Sequence, residues 1–285
     1  MRPSNYYKPL LPQGPRRALA TTEAEYLNLW RQIGTSANQD LLVRSLYSGM
    51  AADRLAWVFI AGYQSACRHA FPTALTGLDA ETVLAFAVSE DRSDPPQYPG
   101  LVQSAGTAPA LTGTKTWVAA AHSVEQLIVR AGGRGQRRYW RVPRTLAGLT
   151  IDTGGPASFL SDLSQGRAHF SNVAIADLHE LPREGAANFG TLEALYLYTA
   201  FCGHVLGADP EEDLRLCAYD CLDAVAPALA SVGSGVLDVA NLQKADARAQ
   251  DLLVRLSGNR LRAAGDWDAD QRLIAMYSKP IRRLA

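Results

Sequence analysis

Two stretches and one carboxylate carry the chemistry-bearing residues of this chain. The first stretch is Ala85-Phe86-Ala87-Val88-Ser89-Glu90, and the second is Leu111-Thr112-Gly113-Thr114-Lys115-Thr116-Trp117-Val118. A turn at Gly113-Thr114, with Lys115 leading into a short strand, would present Trp117 on one face. A Trp among β-branched residues suits a wall against which a flat ring can lie. From the residues alone, a hairpin with a core Trp is the plainer account. The carboxylate is Glu193, within Gly190-Thr191-Leu192-Glu193-Ala194-Leu195. Burial among apolar neighbours would raise its pKa toward the range of a general base. An ordinary acidic residue near a helix N-terminus is the alternative, favourable there without catalysis.

Other chemistries find little support. His69, His122, His169, His179 and His204 have no metal-ligand spacing. Cys67, Cys202, Cys217 and Cys221 form no C-x-x-C pair and read as small core residues in a reducing, cytoplasmic setting. Asp266, Asp268 and Asp270 resemble a helix cap more than a metal site. There is no G-x-S-x-G elbow, no P-loop and no dinucleotide glycine fingerprint. Lys plus Arg equals Asp plus Glu, 28 each, so bulk charge does not favour nucleic acid. No long uncharged apolar run predicts a membrane span.

The elements that must position these residues follow from periodicity. The first twenty residues hold Pro3, Pro9, Pro12 and Pro15 among basic residues, and read as an extended arm. Thr21-Thr22 can cap a helix through Ile33. A longer helical region runs from Asn38 to His69, divided at Gly49, with an apolar stripe of Leu42, Leu46, Leu55, Val58, Phe59 and Gly62. Short β-branched runs then predict strands at Val83–Ser89, Ala110–Val118, Gln126–Arg130, Arg138–Val142, Leu149–Asp152 and Ala168–Ile175, an antiparallel sandwich or barrel. Arg134 to Trp140 is basic and aromatic: a site for a phosphate-bearing ligand, or more simply a twisted exposed hairpin. From Asn188 the pattern is helical again, with breaks at Gly207–Pro210 and Ser231–Gly235, a long helix from Val236 to Ala264 and a last helix around Leu273–Tyr277. The chain is therefore expected to be α+β, with an N-terminal arm and helical domain over 1–80, a middle antiparallel β-domain over 81–182, and a C-terminal helical bundle over 183–285.

The two stretches together resemble the middle domain of the acyl-CoA dehydrogenases. There a segment of the type A-L-T-E-P-G-A-G-S-D precedes G-T-K-x-W-I-[ST]. Here Ala87-Val88-Ser89-Glu90 and Ser93-Asp94 are followed by Gly113-Thr114-Lys115-Thr116-Trp117-Val118. A third element, Arg167 to Ile175, resembles the family's closing strand F-x-x-V-x-V-P. The resemblance implies a flavoprotein of fatty acid metabolism that binds FAD and oxidises an acyl-CoA or similar thioester at Cα–Cβ, with hydride transfer to the flavin. It implies a homo-oligomer and an electron-transfer partner. By position, Phe86, Val88 and Ser89 would face the flavin's pyrimidine edge, Ser93 would sit near cofactor phosphate or the substrate's pantetheine, and Trp117 would pack on the isoalloxazine. Some branches carry the base on the first helix after the β-domain, in L-D-L-E-R, and Glu193 falls at that place.

The sequence also departs from the family. Asp91-Arg92 stands for the P-G-A-G insert. Ala119 occupies the place of a hydroxyl residue near the flavin's reactive nitrogen. The family's Arg-x-x-Phe-Gly, Gln-x-x-Gly-Gly and Glu-Gly-Thr motifs are not visible in the last third. These departures keep two further readings open: a non-catalytic paralogue acting as a binding or partner subunit, able to complete a site with a full-length relative, and a flavin-dependent monooxygenase of the same fold.

Overall fold

The computed structural model describes residues 9–36, 40–91, 97, 100–104, 108–132, 137–154, 157–176, 178–233, 237–257 and 264–284. Among them the order is helical, β, helical. Helices α1 (Glu23–Ser36), α2 (Leu41–Ala51) and α3 (Leu55–Ala70) come first. Strands β1 (Leu84–Ala87), β2 (Val102–Gln103), β3 (Ala110–Ala119), β4 (Gln126–Ala131), β5 (Arg138–Pro143), β6 (Leu149–Asp152), β7 (Gln165–Ala174) and β8 (His179–Leu181) follow. Helices α4 (Glu184–Leu206), α5 (Glu212–Gly233) and α6 (Val239–Ser257) precede three short helices, α7 (Trp267–Asp270), α8 (Arg272–Met276) and α9 (Ser278–Arg282). The fold is α+β, and the chain forms two compact units. One holds the residues up to Ala66, Ser158–Asp162 and those from Asn188 onward; the other holds Cys67–Ala157 and Leu163–Ala187.

In the helical unit, the start of α1 is a reciprocal cap. The Glu25 amide donates to Thr22 Oγ1 at 3.2 Å, and the Thr21 amide donates to the Glu25 carboxylate at 2.8 Å. The expected arm, from residue 9 onward, lies along α2 and α3. The Ala18 amide donates to Ala51 O, the Tyr47 hydroxyl to Leu10 O and Trp57 Nε1 to Ala20 O. Gly49 does not divide a helix, contrary to expectation. The chain leaves helical geometry at Ala52, and Gly49 stays inside α2. What Gly49 provides is room, since a Cβ there would sit 2.0 Å from the Ala200 carbonyl oxygen of α4. Gly62 on α3 approaches Leu197 Cα in the same way, and Gly203 on α4 approaches the Leu46 carbonyl. Three glycines thus let α2 and α3 rest on α4 backbone to backbone. Helix α4 is buried on every side from Ala194 to Val205, as its nearly continuous apolar sequence requires.

The other unit is a sandwich of two four-stranded sheets, β1-β4-β5-β8 and β2-β3-β7-β6. Alternation decides which residues go inward. Ala85 and Ala87, Leu127 and Val129, and Trp140 and Val142 meet Leu111, Val118, Ala168, Phe170 and Val173 of the facing sheet in one core. Among the described strands the pairings are antiparallel except that β1 pairs with β4 in parallel, Leu84 opposite Gln126 and Ala87 opposite Val129.

The expected turn at Gly113–Thr114 is a bulge inside one ten-residue strand, β3. Gly113 has φ +132°, and a Cβ there would lie 2.4 Å from the Gly100 carbonyl oxygen, so only glycine fits. Beyond the bulge, the Thr116 amide donates to Ser89 O at 2.9 Å. Lys115, whose side chain is 0% exposed, donates to the Glu90 carboxylate. The two stretches singled out in the sequence are therefore fastened to each other. Burial pulls the Lys115 pKa down to about 8, with Glu90 opposing that fall and Arg130 adding to it.

Two outcomes follow. Gly49→Ala should raise helix propensity yet destabilise the protein by about 2 kcal/mol through overpacking, read as a lowered urea midpoint. Glu90→Gln, which strands the buried ammonium, should cost about 3 kcal/mol. Lys115→Met combined with Glu90→Gln should recover most of that loss in the same measurement.

Candidate functional site

The same alternation that fills the core also sorts a second set of residues onto the outer face of the β1-β4-β5-β8 sheet. Phe86 and Val88 follow the inward Ala85 and Ala87; Arg130 follows Val129; Tyr139 precedes Trp140 and pairs with Arg130 in register. These four line a cleft of about 910 Å³ together with Arg137, Arg183, Glu184, Ala186 and Ala187. Phe86 and Tyr139 lie 6.2 Å apart at 23°, and Phe71 packs behind Phe86 at 5.2 Å. Arg130 donates to Val88 O at 3.2 Å and lies 3.8 Å from Glu90, so the ion pair that joins the two motif stretches also reaches the cleft. Arg183 and Glu184 meet at 4.0 Å in solvent, a weak pair. Three guanidinium groups against the carboxylates of Glu184 and Glu90, beside two aromatic rings, suit a flat ring system that carries phosphate.

Phe86 and Val88 are thus brought together, and Ser89 is exposed directly after them. Trp117 is elsewhere. It lines a separate hollow of about 220 Å³ on the other sheet, with Thr116, Asp152, Gln165 and Arg167, and its Nε1 donates to Gln165 Oε1 at 3.0 Å. Ala119 is buried at the end of β3. Ser93 lies outside the described residues, as do Arg134 to Gln136 of the basic, aromatic segment. Of that segment's remainder, Arg137 faces the cleft, while Arg138 forms a bidentate pair with Glu180. Arg130 and Arg183 escaped the sequence reading. Extending the β1 alternation to β4 would have found Arg130; no local pattern marks Arg183.

In the helical unit, Glu193 sits on α4, partly exposed at its surface. The dense surround desolvates its carboxyl and raises the pKa to about 7, while the polar influence of Tyr277 opposes the rise. At neutral pH such a carboxyl exchanges a proton readily, as a general base must. His204 is not a rival. Burial and the neighbouring Arg17 push its pKa down to about 3, and Nδ1 donates to Ala52 O at 2.8 Å, so the ring is neutral and structural. The four cysteines are buried and form no disulfide. Among the described residues no cluster of His, Cys, Asp or Glu could hold a metal ion, and no helix is long and apolar enough to cross a membrane.

No family model and no curated protein matches the sequence. Solved structures do match in fold. An FAD-dependent dehydrogenase superimposes with a TM-score of 0.67 at 13% identity, covering 99% of this chain and 95% of that one. An acyl-CoA dehydrogenase from Geobacillus kaustophilus gives 0.58 at 12% identity, covering 99% and 93%. The ChsE4-ChsE5 complex from Mycobacterium tuberculosis gives 0.54 at 13% identity, covering 93% and 97%. These likenesses run through the C-terminal helices, where no family motif is readable. The chain has the acyl-CoA dehydrogenase-like fold.

Proposed function

We propose that this chain is an FAD-dependent dehydrogenase acting on an acyl-CoA or similar thioester. The observation that carries the reading is Glu193: a carboxyl on the first helix after the β-strands, desolvated to a pKa of about 7. As the base it accepts the α-proton of the thioester, and its partial burial keeps the ionised and protonated forms close in energy. Phe86 and Val88 form the wall for a flavin edge, and Arg130, Arg137 and Arg183 neutralise phosphate. When bound, FAD supplies the acceptor for the hydride that leaves Cβ. Ser89, Ser93, Trp117 and Ala119 are proposed as the remaining cofactor contacts. We further propose a homo-oligomer working with an electron-transfer partner.

A second reading, a partner subunit without catalysis, is favoured by one observation: Trp117 and Phe86 line separate hollows, so a single flavin would have to touch both. A relative in the ChsE4-ChsE5 complex lends this reading support.

The test is the absorbance spectrum of the purified protein, with and without added FAD, after removal of unbound cofactor. The dehydrogenase reading expects a flavin band near one per chain that bleaches with acyl-CoA. Glu193→Gln should retain the band and bleach at least 100-fold more slowly, about the loss of one general base. Normal bleaching in that variant rejects the base assignment, and absence of flavin favours the partner subunit. The pH dependence of stability supplies a second check. The folded-state pKa of about 7 lies above the ordinary 4.5, so between those values the folded protein binds a proton that the unfolded chain has lost. Stability from this group therefore falls as pH rises through that window. Glu193→Gln removes the fall, so its melting temperature relative to wild type should climb from pH 5 to pH 7.5.

A further inference from the structure

The last segment of the helical unit lines a hollow of about 480 Å³ with Ala275, Ser278, Lys279, Arg282 and Arg283, together with Gln250 of α6. Helical geometry runs through α9 and continues at Arg283, whose φ and ψ are −84° and −5°. Lys279 therefore stands three residues before Arg282 and four before Arg283, the spacings that bring side chains together on one face of a helix. Like charges so placed repel one another. Among the described residues neither Lys279 nor Arg283 meets a carboxylate. Arg282 has one at a distance: its Nε lies 3.8 Å from Asp246 Oδ2.

The lining is held by bonds made beneath it. Asp246 of α6 is 2% exposed. Its Oδ1 accepts from the Tyr198 hydroxyl at 2.8 Å and from Gln250 Nε2 at 3.2 Å, and its Oδ2 accepts from Ser278 Oγ at 2.7 Å. Gln250 Nε2 also donates to Ile274 O at 3.0 Å. The amide hydrogens of Gln250 and the hydroxyl hydrogen of Ser278 are thus committed within the protein. A buried carboxylate keeps its donors, because an unpaired one is costly, so α6 and the segment that carries the three cations are fastened before any ligand arrives. The hollow then presents three cations, and the one carboxylate beside them is buried. Cations do complement the carbonyls at a helix C-terminus, but a helix of five residues has little dipole and does not call for three. An anion with more than one negative charge answers their repulsion. Guanidinium forks match phosphate oxygens, and the ammonium adds a point charge. The volume has room for a phosphate with a small organic group attached.

We propose that Lys279, Arg282 and Arg283 form an anion site that takes a small phosphate-bearing ligand, its wall fixed by the hydrogen bonds of Gln250 and Ser278 to Asp246. The site is separate from the cleft of the β unit and does not rest on Glu193 being a base.

The test is the rate at which an amine-reactive ester labels Lys279 in the full chain, followed by mass spectrometry, with inorganic pyrophosphate and AMP as probes. Lys244, exposed on α6 and outside the hollow, is the internal control. Either probe at millimolar concentration should slow labelling of Lys279 and leave Lys244 unchanged, and sodium chloride should weaken the effect. Arg283→Gln should raise the concentration needed about tenfold, the loss of one charge-assisted contact. Arg282→Gln should act in the same direction, and it stands in if the first variant does not fold. Stronger protection by AMP supports an organic phosphomonoester as the ligand, and stronger protection by pyrophosphate supports a free polyphosphate. Equal slowing at Lys244 and Lys279, or protection that both variants leave intact, overturns the proposal. Protection by phosphatidylglycerol vesicles alone, with neither soluble probe acting, overturns it in favour of a lipid surface. No lysine lines the cleft of the β unit, so a failure to retain flavin leaves this result standing, and a failure here leaves the dehydrogenase reading standing.

Discussion

The buried ion pair between Lys115 and Glu90 is the constraint on which the β unit depends. An ammonium in an apolar interior is tolerated only while its carboxylate is present. Lys115 is on β3 and Glu90 follows β1, so the two sheets cannot shift against each other at this point without separating the charges. The backbone bond from Thr116 to Ser89 closes the same junction. Phe86 and Val88 come immediately before it, and Arg130 reaches it from the cleft. The geometry of the cleft wall is therefore inherited from a contact made inside the sandwich.

In the helical unit the comparable role falls to small residues. Glycines at 49, 62 and 203 allow three helices to touch through their backbones, which leaves little freedom for α4 to turn or slide. The proposed base, Glu193, is carried on this closely packed helix. Asp246 adds a polar fixture to the apolar one, and it acts on the segment that arrives last in the chain.

The order of elements was legible in the sequence because it is written in local periodicity. The predicted strands fall within a few residues of the observed ones, and the break near Pro210 lies where it was expected, but α5 runs on through Gly233, and Ala264, the expected end of the long helix, pairs with Arg54 in an isolated bridge instead. Gly49 and Gly113 were misread for the same reason. A glycine in a one-dimensional pattern looks like a break, whereas each of these exists to admit a distant backbone, Ala200 or Gly100. Lys115 looked like the entrance to a strand, and nothing local says that its ammonium would be buried. Glu193 stood out through the resemblance of its segment to the family's helix after the β-domain, but Asp246 did not, since its partners Tyr198 and Ser278 are far away in the chain. What escaped the sequence was consistently the long-range polar contact.

The alternation along β1, β4 and β5 has a consequence for how this protein can change. Residues that build the core and residues that face the cleft occupy alternate positions of the same strands. A substitution at Val88 or Arg130 alters the lining of the cleft while the interleaved Ala87, Val129 and Trp140 continue to hold the sheets together, whereas Phe86 and Tyr139, buried against Phe71, serve both. The lining of the cleft at Val88 and Arg130 can therefore change with little cost to the core. A lineage can drift far in sequence, exchange one ligand for another, and still arrive at the same architecture.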